Sequence, residues 1–175
     1  GDTRPAKTVG GDFYDLVRPD PRHVGVLIGD VSGKGVPAAL TMAQVLAEFR
    51  VRARESGSPA NVLSALNTTL TRQSQQGGFC TLCYMDLDID TGRVVCANAG
   101  HLLILRVGLD GATESVAEPS GPPIGILPEG PWEDCVIEAV PGDVFLMYTD
   151  GAVEARPGAS PRGAQFGFEK LAEET

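Results

Sequence analysis

The chain has 175 residues, 42% of them hydrophobic and 21% charged, which suits one globular domain burying about 70% of its unfolded surface. A net charge of −9 with no basic run argues against nucleic acid and anionic lipid as partners. No apolar run reaches the length of a membrane span and no secretory leader is visible, so a cytoplasmic protein without membrane insertion is expected.

In chain order, the apolar run "VGVLI" (24–28) reads as a buried strand ending at Gly29-Asp30. After Pro37 the period becomes helical, with Ala39, Met42, Ala43, Leu46 and Phe49 on one face and Glu48, Arg50, Arg52 and Arg54 largely elsewhere. Gly57 stops this helix. Ser58-Pro59 opens a second, whose stripe is Val62, Leu63, Leu66 and Leu70; the short break predicts an antiparallel helix pair. Beyond Gly77-Gly78 strands are predicted at 79–88, 93–99, 102–107, 113–117, 134–140 and 143–149, with turns at Asp90-Thr91-Gly92, Asp110-Gly111 and Pro141-Gly142-Asp143. The loop "EPSGPPIGILPEGP" (118–131) carries Ile124, Ile126 and Leu127 and is expected to pack on the sheet. A last helix begins at Gly167-Phe168. Strands, helices and then hairpins make an α+β protein with largely antiparallel sheets.

Two motifs invite over-reading. "IGDVSGKG" (28–35) resembles a phosphate-binding loop, but a Walker A needs Gly where Ile28 stands and Ser or Thr where Gly35 stands. Cys80 and Cys83 form a CxxC inside a predicted strand, where an offset of three puts them on opposite faces. With two histidines in the chain, zinc is disfavoured, and the four cysteines are expected to be buried, reduced thiols of a cytosolic protein.

Three acidic positions share a local pattern. Asp12 lies in "VGGDFYDL", Asp30 in "LIGDVSGKG" and Asp150 in "FLMYTDGAVEA", each near a glycine and two of them at a strand end. Asp and Gly also simply make turns, and the sequence leaves both readings open. If the three converged, each carboxylate pair about 5 Å apart would repel by roughly 3 kcal/mol at an effective dielectric of 20. Mg²⁺ or Mn²⁺, which take oxygen ligands, would relieve that repulsion.

The motifs "VGGDFYDL", "GDVSGKGVPAAL", "ANAGH", "SGPPIGILP", "PGDVFLMYTDGAVEA" and "FGFEKL", in this order, resemble the metal-dependent PPM (type-2C) serine/threonine protein phosphatases, most closely the SpoIIE/RsbU branch of bacteria. The resemblance implies a single domain over residues 1–175, clipped at both ends, folded as a four-layer α-β-β-α sandwich. It implies two Mn²⁺ or Mg²⁺ ions holding a bridging water. Asp12 would ligate on one side, Asp30 would bridge both ions, the Val31 carbonyl would add a ligand, and Asp150 would bind the second ion; these same three carboxylates are the catalytic set. Asp15 and Glu154 are assigned only to an outer shell, His101 to structure and Lys34 to solvent. Ser32 stands where eukaryotic members carry a His, and the Asp-Asp pair before the family's closing strand is not in the sequence.

The activity so implied is hydrolysis of phosphoserine or phosphothreonine on a regulatory protein, an anti-anti-sigma (STAS) factor in a stress response. An upstream sensor domain would precede this one. The rival reading is a catalytically weak or silent PPM-like domain that binds a phosphoprotein or regulatory partner.

Overall fold

In the computed structural model, residues 1, 10–55, 57–73, 78–155 and 165–174 are described. The entry to the first strand (residues 2–9), Gly77 of the expected turn, and Thr175 lie outside them. Strands β1 (Asp12–Val17) and β2 (His23–Val31) pair as an antiparallel hairpin. Helices α1 (Val36–Glu55) and α2 (Pro59–Gln73) follow, then β3 (Cys80–Asp88), β4 (Arg93–Ala99), β5 (Ile104–Val107), β6 (Thr113–Val116), β7 (Cys135–Glu138) and β8 (Val144–Leu146). Two short helices, α3 (Asp150–Val153) and α4 (Phe168–Glu174), complete the described chain and pack against each other. Among the described residues no helix is long and apolar enough to cross a membrane.

The strands form two antiparallel sheets, one of five strands in the order β1-β2-β3-β4-β7 and one of three in the order β6-β5-β8. Alternation along β2 and β3 divides the interior. Leu27, Val31, Leu82 and Tyr84 face α1 and α2, whereas Ile28, Cys83 and Met85 face the second sheet. The helix-side core includes Phe49, which meets Tyr84 edge to face at 4.9 Å, and all four expected α2 residues. The core between the sheets adds Ile104, Ala117, Phe145 and Met147 from the second sheet to Val94, Cys96 and Ile137 of the first. Layers therefore run helix, sheet, sheet, as the α+β sandwich requires, with α3 and α4 following the second sheet.

The glycines of "SGKG" have a conformational task. Gly33 (φ +98°) and Gly35 (φ +78°) adopt left-handed backbone that turns β2 into α1, and Ala39 N–H donates to the Gly35 carbonyl (3.1 Å) at the helix start. Lys34 is exposed. The "DTG" triplet is the β3–β4 turn, with Gly92 at φ +75°.

Three expectations need correction. The buried face of α1 is Ala38, Val45, Phe49 and Ala53, flanked by Met42 and Leu46; Ala43 is exposed, as are Val36, Leu40 and Val51. This helix carries apolar residues all round, so its period admits more than one inward stripe. In the 118–131 loop Ile124 is fully buried and exchanges backbone hydrogen bonds with Cys80 (2.9 and 3.0 Å), but Ile126 and Leu127 are exposed. Asn67 of α2 holds this loop from beneath, accepting from Gly125 N–H and donating to the carbonyls of Leu127 and Pro128. Cys80, Cys83 and Cys96 are buried thiols as expected, Cys80 and Cys83 on opposite faces of β3, while Cys135 is exposed, against expectation.

Candidate metal centre

The hairpin register sets the site. Asp12 at the start of β1 lies directly opposite Asp30 near the end of β2, so both carboxylates project from one face of adjacent strands. That face is the inner one, shared with Ile28. Asp150 arrives from the second sheet: β8, expected over 143–149, ends at Leu146, three residues outside any strand follow, and Asp150 opens α3 behind the extended Thr149 (φ −100°, ψ 171°) rather than ending a strand. One carboxylate oxygen from each of Asp12, Asp30 and Asp150 lies within 4.8 Å of the others.

Electrostatics at this point are adverse without a cation. Desolvation by burial, then the charges of Asp12 and Asp150, push the Asp30 carboxyl up to about 6. Desolvation also raises Asp12, opposed by a hydrogen bond from Thr149 and reinforced by Asp150. An all-oxygen cluster that resists ionisation is the donor set a hard divalent ion relieves. Backbone geometry agrees. A methyl group placed on Gly11 would lie 2.6 Å from Asp30 Oδ1 and 2.5 Å from the Val31 carbonyl oxygen, so these two oxygens share a space that glycine leaves open. Val31 N–H donates to the Gly11 carbonyl (3.1 Å), which holds the two strands in that relation.

The surroundings rigidify rather than react. His101 Nε2 donates to the Tyr148 carbonyl (3.2 Å), which requires Nδ1 to accept from the Thr81 hydroxyl (2.9 Å). Burial holds this imidazole down at about 4, so it is neutral and ties the segment before Asp150 to β3. Asn98, itself buried, donates to the carbonyls of His101, Leu102 and Ala117 and accepts from His101 N–H (2.7 Å). It therefore shapes the turn that presents His101. Ser32 accepts from Phe79 N–H (2.9 Å) and closes the loop after β2 onto β3.

Asp15 is not at the site. An offset of three from Asp12 turns it to the helix face, where Arg50 of α1 grips both its oxygens (2.7 and 3.2 Å). Glu154 is exposed at the end of α3. Gly11, Thr149 and Asn98 were not singled out from the sequence. A glycine pair before Asp12 and a Thr before Asp150 were the available signals. From the acidic cluster an apolar groove of about 670 Å³ runs between the sheets, lined by Tyr14, Leu16, Ile28, Met85, Phe145 and Met147 among others.

With this geometry in view, the profile of the family described as Stage II sporulation protein E (SpoIIE) matches residues 20–175. The chain belongs to the SpoIIE family. That match includes Asp30 and Asp150, and the family places the domain in the SpoIIE/RsbU branch of PPM phosphatase folds. Protein IcfG of Synechocystis sp. is 28% identical over 196 residues, covering 97% of this chain and 30% of that protein. Phosphoserine phosphatase RsbU of Bacillus subtilis is 28% identical over 152 residues, covering 87% of this chain and 45% of its own. Among solved structures, the RsbU and RsbW domains of Rv1364c from Mycobacterium tuberculosis superpose with a TM-score of 0.74 at 29% identity, covering 91% of this chain and 44% of that one. The SpoIIE-type chain thus spans less than half the length of each of these proteins.

Proposed function

We propose that the chain is a divalent-metal-dependent phosphatase domain acting on phosphoserine or phosphothreonine of a regulatory protein, with an anti-anti-sigma (STAS) factor as the substrate class. The observation that carries this reading is the convergence of Asp12, Asp30 and Asp150 within 4.8 Å on a neutral-histidine scaffold. Family membership and the phosphoserine phosphatase RsbU among its relatives support it.

In this reading Asp30 holds the shared position, Asp12 and Asp150 hold the flanking ones, and the Val31 carbonyl adds a neutral oxygen. Two Mg²⁺ or Mn²⁺ ions so bound would supply an activated water and neutralise charge on the phosphoryl oxygens. Thr149 orients the Asp12 carboxylate, and His101 fixes the approach of Asp150 through the Tyr148 carbonyl. Among the described residues all the cysteines are buried except Cys135, which lies on β7, outside the acidic cluster. No thiol nucleophile is therefore invoked.

The test is turnover of p-nitrophenyl phosphate and of a phosphoserine peptide, with Mn²⁺ and with excess EDTA. Metal-dependent turnover lost in Asp30→Ala and in Asp150→Asn is expected. Full activity in EDTA would refute the metal reading. Saturable phosphopeptide binding without turnover would instead identify a silent, partner-binding domain.

A further inference from the structure

Cys96 on β4 and Cys135 at the start of β7 stand directly opposite each other in the antiparallel register. Both lie on the face that looks toward the second sheet, as does Ile137 two residues beyond Cys135. The second sheet covers Cys96 completely but leaves Cys135 open to solvent. The Cys96 thiol is within hydrogen-bonding reach of the Cys135 side chain, and its Sγ lies 3.7 Å from the Cys135 carbonyl oxygen. Residues directly opposite on antiparallel strands have Cα atoms about 4.5–5.5 Å apart, inside the roughly 4.4–6.8 Å window of a disulfide.

The other thiols are placed differently. Cys80 lies on the helix side of β3; Cys83 shares the inner face and feels both Cys96 and Cys135 electrostatically, but it is fully buried and its register partner is Asn98. We infer that Cys96 and Cys135 form a peroxide-oxidisable pair that closes to a cross-strand disulfide, joining edge strand β7 to β4. Solvent exposure makes Cys135 the thiol that meets the oxidant, and the buried, facing Cys96 resolves it.

The chemistry balances with one hydrogen peroxide. The Cys135 thiolate attacks one peroxide oxygen, the O–O bond breaks, hydroxide leaves, and the sulfur becomes a sulfenic acid. Cys96 Sγ then attacks Cys135 Sγ, the S–S bond forms and the S–O bond breaks. Burial pushes the Cys96 thiol up to about 12, so its proton travels to the departing hydroxyl, which leaves as water. In net terms two thiols and one peroxide give a disulfide and two waters. The clamp would secure the segment in which Asp134 accepts from Ala60 N–H (2.8 Å) at the start of α2.

The experiment treats the reduced 175-residue chain with hydrogen peroxide in EDTA, blocks free thiols with N-ethylmaleimide in denaturant, and maps peptides by mass spectrometry without reductant. The expected product is a Cys96–Cys135-linked peptide, lighter by two hydrogens than the sum of its parts and released by dithiothreitol, with Cys80 and Cys83 alkylated. Cys135→Ser should leave all remaining thiols reduced at the same dose, and Cys96→Ala should divert Cys135 to sulfinic acid. Wild-type protein in which Cys135 is over-oxidised, or bridges two chains, while Cys96 remains fully alkylated would overturn the proposal. That arm decides the question even if a variant fails to fold.

Discussion

Replacing Asp30 by Asn tests the electrostatic account of the acidic site without an activity assay. The Asp30 carboxyl is raised from 3.8 to about 6, chiefly by burial and then by Asp12 and Asp150. Two units at about 1.36 kcal/mol each give roughly 3 kcal/mol of strain in the metal-free protein at neutral pH. A direct Coulomb estimate for two carboxylates at about 4.8 Å is larger, roughly 3–4 kcal/mol per pair at a dielectric of 20. The smaller figure is the better guide because Asp30 is only partly buried, and solvent screening reduces it further to about 1–2 kcal/mol. The sign follows from proton binding. Between about pH 4 and pH 6 the folded state holds more protons than the unfolded one, so this group's contribution to stability falls as pH rises and levels off above pH 7. Asp30→Asn, which cannot ionise, should therefore match the parent near pH 4. In EDTA at pH 7.5 it should be more stable by about 1–2 kcal/mol, or about 2–8 °C in melting temperature for a domain this size. Millimolar Mn²⁺ should reverse the order, because bound ion stabilises only the protein that retains the cluster. Urea or thermal unfolding at the two pH values, with EDTA and with Mn²⁺, reads all of this. An Asn variant less stable than the parent in EDTA at pH 7.5, or equally advantaged at both pH values, would refute the reasoning.

Gly11→Ala inserts a methyl against Asp30 Oδ1 and the Val31 carbonyl, and should weaken Mn²⁺ binding at least tenfold by about 1.4 kcal/mol or more, measured by titration calorimetry. Asn98→Ala strands two buried carbonyls and a part-buried one and should cost about 2–4 kcal/mol in urea unfolding. Asp15→Asn removes only the grip of Arg50 on β1, so Mn²⁺ affinity should stay within twofold of the parent. A larger loss would return Asp15 to the site.

Features governed by local chemistry were legible in the sequence. The cores of the strands from β2 onward, the Gly57 break, the α2 stripe and the opposite faces of Cys80 and Cys83 follow from side-chain periodicity and turn residues, which act within a few residues of chain; β1 was not read as a strand, and β5, β7 and β8 are shorter than expected. The same parity argument, applied to Asp12 and Asp15, would have sent Asp15 to the helix side; their shared motif obscured it. The motifs themselves carried the family resemblance that the profile match then showed.

Other features waited on contacts between distant segments. Asp12 and Asp30 meet because a six-residue strand pairs in one register, and a slip of one residue would place them on opposite faces. Asp150 joins them because the second sheet stacks on the first and the segment after β8 carries the start of α3 to the same edge. The inward face of α1 was decided by the sheet beneath it, since the helix offered apolar residues on both sides. Cys135 is exposed although Ile137, on the same strand and face, is buried, and how far one sheet covers another is a property of the packed layers that no segment of sequence specifies alone.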